Sequence, residues 1–297
     1  MDTAIEFGFI ETNRVRLHVA EAGPADGPLV VLLHGFPEFW YGWRHQIVAL
    51  AAAGYRVLAP DQRGYHLSDK PRGRDAYAID RLAADVIGLI AARGRDSAAV
   101  VGHDWGAGVA WWLALRHPSW LDRLAILNVP HPAVMLRRLR RDPAQWLRSW
   151  YILAFQLPWL PEALLRANGY KAMASAMRRT ARTGSFSETD LARYRAAWSK
   201  PGALTAMIDW YRAAVRRPPL PPGSPRVVVP TLVLWGARDI ALARAMSPES
   251  VAYCDQGRLE LFEEATHWVQ HDAAERVNAL LLSFLAEGRS QPARRRA

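Results

Sequence analysis

Six short apolar runs, set apart by turns and by stretches of longer period, restrict this chain to few folds. They are Leu29 to Leu33, Arg56 to Ala59, Ala98 to Val101, Leu124 to Leu127, Thr231 to Leu234 and Leu259 to Phe262. A strand that is apolar along its length, rather than at alternate positions, is covered on both faces, which is the condition of a parallel sheet between helices. Helical period lies between the runs. Ile79, Leu82, Ala83, Val86, Ile87 and Ile90 recur at steps of three and four before Gly94, and Val277, Leu280, Leu281, Phe284 and Leu285 do so near the end. Strand alternating with helix predicts an α/β fold with a mostly parallel, doubly wound sheet. The beginning departs from this. Residues 14 to 20, RVRLHVA, alternate with period two, and AIEFGFIE can pair with them through a turn at Thr12 and Asn13, which predicts an antiparallel entry.

From about residue 131 to residue 222 the alternation stops, and the sequence turns helical, rich in Trp and Arg and broken by prolines. A length of 297 residues suits about two domains or one large domain carrying such an insertion. The expected division is a core over 1–130, a helical cap over 131–222, and the rest of the core over 223–297. PPLPPGSPRVVVP should form a stiff linker returning the chain to the sheet at Val229. EGRSQPARRRA should form a disordered tail from about residue 287.

Composition removes several classes. A hydrophobic share of 51% excludes an intrinsically disordered chain. The single cysteine, Cys254, excludes an internal disulfide or a thiolate zinc cluster and points to a reducing compartment. Acids stand near the amino terminus where a secretory signal needs basic residues, and no apolar run approaches the ~18 residues of a membrane span. A cytoplasmic protein with no stable membrane insertion is therefore expected, as monomer or homodimer. The formal charge of +10 raises nucleic acid as a partner, but nearly all of it is arginine and no reader motif accompanies it, so none is expected. The run AVMLRRLRRD reads as a solvated face more readily than as a basic helix meeting a membrane.

Residues 98 to 108, AAVVGHDWGAG, carry the chemistry. A short strand runs into Gly102, His103, Asp104, Trp105 and Gly106, and a helix follows through Ala110 to Arg116. Small residues around one polar side chain suit a sharp strand-to-helix turn that pushes that side chain above the sheet. Lipases and esterases place serine there; this chain places Asp104. A carboxylate attacking an acyl group yields only a labile anhydride, whereas against a saturated carbon with a leaving group it yields an alkyl ester. Releasing that ester requires a base-activated water and donors for an oxyanion. Asp239 in LVLWGARDI and His267 in LFEEATHWVQ supply an acid and a base in the matching chain order. HGFP, residues 34 to 37, puts the Phe36 N–H where it can join that of Trp105 as an oxyanion hole. The plainer alternatives are Asp104 capping its own helix, Asp239 forming a turn, and His267 as a satisfied structural histidine. His34 and His103 are assigned to structural hydrogen bonding.

HGFPEFWYGWR at 34–44, APDQRGYHLSDKP at 59–71, GHDWGAG at 102–108, GARD at 236–239 and THWVQ at 266–270 together resemble the epoxide hydrolases of the α/β-hydrolase superfamily. The resemblance implies a cofactor-free, metal-free hydrolase that opens a small apolar epoxide with water to a vicinal diol. It also implies two cap tyrosines as proton donors, for which SWYILAFQLP offers Tyr151 and MIDWYRAA offers Tyr211. Phe36, Trp105 and Trp150 are expected to line the substrate pocket. One position departs: the family usually reads RGYGxS, and His66 stands at the second glycine. If that position needs positive φ, histidine tolerates it less well than glycine. Two rivals remain open: a haloalkane dehalogenase using the same triad, and a non-catalytic ligand-binding scaffold.

Overall fold

The structure, a computed structural model, describes residues 4–216 and 223–289. Two strands, β1 (Glu6–Thr12) and β2 (Val15–Ala22), form an antiparallel hairpin whose turn residues Asn13 and Arg14 take positive φ. The remaining strands are β3 (Leu29–Leu33), β4 (Arg56–Pro60), β5 (Ala98–His103), β6 (Leu121–Leu127), β7 (Thr231–Gly236) and β8 (Gly257–Phe262). They join the hairpin in one eight-stranded sheet of order β1-β2-β4-β3-β5-β6-β7-β8. All pairs are parallel except β1 with β2 and β2 with β4.

Helices cover both faces. Between β3 and β6 run α1 (Arg44–Ala52), α2 (Ile79–Ala92) and α3 (Trp105–Arg116). Strand side chains alternate between two apolar cores, as a period of two requires. Leu29, Val31 and Leu33 face α2 and α3, whereas Val30 and Leu32 face α1. Between β6 and β7 lie α4 (Pro132–Arg141), α5 (Pro143–Arg148), α6 (Trp150–Ala154), α7 (Leu160–Thr180), α8 (Glu188–Trp198) and α9 (Ala203–Arg216). α7 is two helical stretches, because Asn168, Gly169 and Tyr170 all take positive φ. The chain closes with α10 (Met246–Val251), α11 (Val269–Asp272) and α12 (Ala274–Arg289), the last packing beside α1.

Three expectations need adjustment. β8 is the edge strand, so Leu259 and Leu261 are only half-buried rather than covered on both faces. The expected tail start near 287 falls inside α12, and residues 290–297 lie outside the described residues. The first five residues of the proline linker, 218–222, also lie outside them; the chain is back beside the sheet by Val227, which bridges to Cys254 before β7 begins.

Candidate active site

Four segments leave the carboxyl ends of parallel strands on the same side of the sheet, the end where open α/β sheets bind ligands. Asp104 directly follows β5, Phe36 follows β3, Asp239 follows β7 and His267 follows β8. The β5–α3 turn is tight enough to dictate its glycines. A methyl on Gly102 would sit 2.5 Å from the Gly106 carbonyl oxygen and 2.7 Å from the Ala107 nitrogen. One on Gly106 would run into the carbonyls of Leu33 and His34, and one on Gly35 would run into the Asp104 side chain. Asp104 itself is held at φ 50° and ψ −124°, a conformation that L residues adopt only when the surroundings enforce it.

The Asp104 carboxylate does not cap α3. Its Oδ1 accepts the Phe36 N–H at 2.7 Å, and its Oδ2 lies 3.5 Å from Nε2 of His267. Nδ1 of the same imidazole meets Oδ2 of Asp239 at 2.7 Å. Asp239 is fixed in turn by the N–H groups of Ala241 and Leu242 on Oδ1 and by the Asn128 amide on Oδ2. The three side chains are therefore in line, with the imidazole between two carboxylates.

Charge follows from this packing. Burial works to raise the pKa of Asp104, but the His267 hydrogen bond and charge, helped by His103 and the Phe36 N–H, outweigh it and hold the carboxyl below its usual range. Asp239 is held low in the same way, with burial opposed by His267, the Asn128 amide and the Leu242 N–H. For His267, burial favours the neutral ring, yet the flanking carboxylates of Asp239 and Asp104 win and push its pKa up to about 10. The resting site is an ion triad.

Above it stand the tyrosines. Tyr211, on α9 and 4% exposed, sets its ring edge-on to Trp105 at 5.0 Å, Phe155 at 5.0 Å and Phe36 at 5.4 Å. The Tyr151 ring lies 5.9 Å from that of Tyr211. Burial, followed by the negative charge of Asp104, raises the pKa of both hydroxyls above the ordinary phenol value, so both keep their protons at neutral pH. Phe36 and Trp105 are half-buried beside Tyr211. Trp150 is not brought into the site. It is 65% exposed, because on the short α6 adjacent residues point about 100° apart and Tyr151 takes the inward direction.

The histidines assigned to structure have satisfied rings. Nε2 of His34 accepts the Gln62 N–H at 3.0 Å and its Nδ1 reaches the Gly35 carbonyl. Nε2 of His103 reaches the His267 carbonyl at 2.8 Å. His66 does take positive φ, 40°, and its Nδ1 bonds Oδ2 of Asp61 at 2.8 Å, as does Nδ1 of His18 at 2.7 Å. Among the described residues this trio is the one group with metal-ligating spacing, and it lies apart from Asp104 with its imidazoles already hydrogen-bonded.

Sequence reasoning missed two residues. Glu38 is buried at the centre of a network, accepting from Tyr194 Oη, from His271 Nε2 at 2.8 Å and from Gln270 Nε2 at 2.9 Å. Gln270 Nε2 also lies 3.0 Å from His103 Nδ1, which connects Glu38 to the main chain of His267. An acid directly after HGFP, in an otherwise apolar and aromatic stretch, was its only signal. Tyr65 is buried with no hydrogen-bond partner on its hydroxyl among the described residues, and burial together with the Asp104 charge raises its pKa strongly.

Comparison with known proteins places this geometry in a family. The profile of the alpha/beta hydrolase fold matches residues 28–274. The AB hydrolase superfamily protein YfhM of Bacillus subtilis is 50% identical over 277 residues, 93% of this chain and 96% of that protein. Epoxide hydrolase 2 of Caenorhabditis elegans is 35% identical, covering 96% of this chain and 81% of that protein. The crystal structure of the Bacillus megaterium epoxide hydrolase in complex with an inhibitor superposes with a TM-score of 0.85 at 30% identity, over 94% of this chain and all of that one. With its sheet order, its strand-to-helix turn and these relatives in agreement, the chain belongs to the α/β-hydrolase fold family, beside members named as epoxide hydrolases.

Proposed function

We infer that this chain is an epoxide hydrolase, converting a small apolar epoxide and water to a vicinal diol through a covalent ester on Asp104. The observation that carries the reading is the ionised Asp104, free of any capping role and facing His267, with two protonated tyrosines packed over the same turn. The helices of 132–216 then act as a cap, since they bring Tyr151 and Tyr211 to the strand ends.

The steps follow from where the charges lie. Tyr151 and Tyr211 donate to the epoxide oxygen while Oδ2 of Asp104, the oxygen not held by Phe36, attacks a ring carbon from the far side. The C–O bond breaks, and the alkoxide takes a tyrosine proton. Ester formation removes one of the two negative charges that keep His267 protonated, so its proton passes to the tyrosinate and the imidazole becomes a base. Oriented by Asp239, it deprotonates a water that attacks the ester carbonyl. Oδ1 then carries the negative charge, and the N–H groups of Phe36 and Trp105 stabilise it. Collapse expels the diol oxygen, which takes the proton held by His267, and the acid proton left on Asp104 passes to the imidazole, so that the carboxylate and the protonated ring are both restored. Atoms and protons balance without a cofactor. The near-absence of cysteine fits a reducing, cytoplasmic setting.

A single turnover in water enriched in heavy oxygen tests the route. The label should appear in Asp104, read by mass spectrometry of its peptide, while the first diol carries the protein's oxygen. Label confined to the diol from the first turnover would refute it. A dehalogenase with the same triad would need no proton donor for halide, and the protonated tyrosine pair favours the epoxide over it.

A further inference from the structure

The helices that bring the tyrosines inward have an outer face of unusual composition. Of the sixteen large hydrophobic residues exposed among the described residues, nine fall between Leu136 and Leu164. Leu147, Trp150, Leu153, Leu157, Leu160 and Leu164 follow one another at steps of three or four across α5, α6 and the start of α7. Trp146 and Trp159 add two more indoles, and Leu147 and Trp159 are 77% and 71% exposed. The inward positions of the same segment are already used: Gln145 is buried against the Ala241 carbonyl, Tyr151 packs beside Tyr211, and Phe155 is buried with them.

The polar residues on this face are of one sign. From Arg140 to Lys171 every exposed residue is apolar, glycine, basic, or the lone Asn168. The two acids in that stretch are engaged elsewhere, Asp142 with Arg138 and Glu162 with the buried Arg212. No ion pair engages Arg140, Arg141, Arg166 or Lys171 among the described residues. A merely solvated face would carry mixed charge and few tryptophans. A second copy seated face to face on the same surface would bring two patches of the same positive sign together with no exposed acid to pair them, which opposes a twofold contact. Tryptophan and leucine beside unpaired arginine, without exposed acid, is the composition of a surface that lies in the headgroup region of an anionic bilayer.

We propose that the outer face of residues 140–171 docks on an anionic lipid surface, with its indoles and leucines at the acyl boundary and Arg140, Arg141, Arg166 and Lys171 on the phosphates. No helix of the described residues is long and apolar enough to cross a membrane, so the contact is peripheral. It would hold the segment carrying Tyr151 against the phase into which apolar small molecules partition.

Sedimentation with sucrose-loaded vesicles of phosphatidylcholine, alone or mixed with phosphatidylglycerol, tests the proposal without any turnover, so its outcome is independent of the reaction. The full chain should bind the mixed vesicles, bind phosphatidylcholine at least about tenfold more weakly, and lose binding as salt is raised. Leu147→Ser combined with Trp159→Ser and Leu164→Ser should weaken binding roughly tenfold or more. Arg140→Glu with Arg141→Glu, at two exposed positions that a fold tolerates, should do the same. Melting temperature and turnover of a freely water-soluble epoxide should stay at wild-type values in the arginine variant. Equal binding to both vesicle types, or binding untouched by the arginine variant, would overturn the proposal. So would a dimer in sedimentation velocity that the leucine and tryptophan substitutions dissolve, because a second copy would then be the occupant.

Discussion

Asp104 takes its role from what surrounds it rather than from its own chemistry. Its carboxylate is ionised because His267 and the Phe36 N–H outweigh the cost of burial, and its Oδ1 is already on a donor suited to an oxyanion. The tyrosines are affected in the opposite sense, since burial and a nearby anion keep their hydroxyls neutral. Replacing both, Tyr151→Phe with Tyr211→Phe, should cut kcat for epoxides by roughly 10²–10⁴-fold while circular dichroism stays unchanged. Turnover within a few fold of wild type in that double variant would remove the tyrosines from the mechanism. His267 gives a pH signature. Its pKa is raised on folding from 6.5 to about 10, so its stabilising contribution is complete below about 6.5 and is lost as pH rises through about 10. The stability advantage of wild type over His267→Gln in urea unfolding should therefore shrink steadily across that interval, and an advantage that grew with pH would contradict the ion triad. That Asp104, Asp239 and His267 would converge was legible because each follows a parallel strand of the sheet in an order that the turn glycines made meaningful. The outward turn of Trp150 was not legible, because which of two neighbouring aromatics faces inward on a five-residue helix depends on packing that no local pattern encodes.

At the scale of elements, β3 was readable to the residue, whereas β4, β5 and β7 begin where their apolar runs begin and continue one or two residues beyond them. β6 begins at Leu121, earlier than the run at Leu124 suggests, because Asp122 and Arg123 interrupt it. Arg123 is tolerated there by lying over the Phe284 ring at 4.8 Å, a contact made with α12 and invisible from its own segment. The break in α7 had a local signal in Asn168 and Gly169, the residues most at ease with positive φ. The loop after β4 shows two effects in competition. His66 at φ 40° costs about 1–2 kcal/mol that glycine would avoid. Its hydrogen bond to the buried Asp61 carboxylate contributes about 1.5–3 kcal/mol. His66→Gly should thus lose more in the hydrogen bond than it recovers in backbone strain, and destabilise by about 1 kcal/mol in urea unfolding. A gain in stability would mean that the bond to Asp61 contributes less than the strain it offsets.

The residues of the candidate site stand on different supports: Asp104, Asp239 and His267 at strand ends, Tyr151 and Tyr211 on helices tied to one another by side-chain hydrogen bonds. Arg212 ties α9 to the end of α6 and to α7. It is buried and donates to the Phe155 and Leu157 carbonyls and to Glu162 and Asp209. Arg212→Ala removes these bonds at once and leaves Glu162 buried without its partner. It should lower kcat about 10–100-fold, although Arg212 is not assigned to the reaction, and cost about 3–5 kcal/mol of stability. Unchanged kcat together with a lowered melting temperature would show that the tie is structural only. The inserted helices were visible in sequence as a change of period, but their mode of attachment was not, because Arg212 and Glu38 find partners 50 or more residues away. Glu38 has a consequence of its own. Through Tyr194, Gln270 and His103 it runs a continuous strut from α8 to the main chain of His267. A guest bulky enough to wedge α8 outward would drag the base off its mark, so an oversized molecule would be penalised in the speed of its conversion more than in its grip.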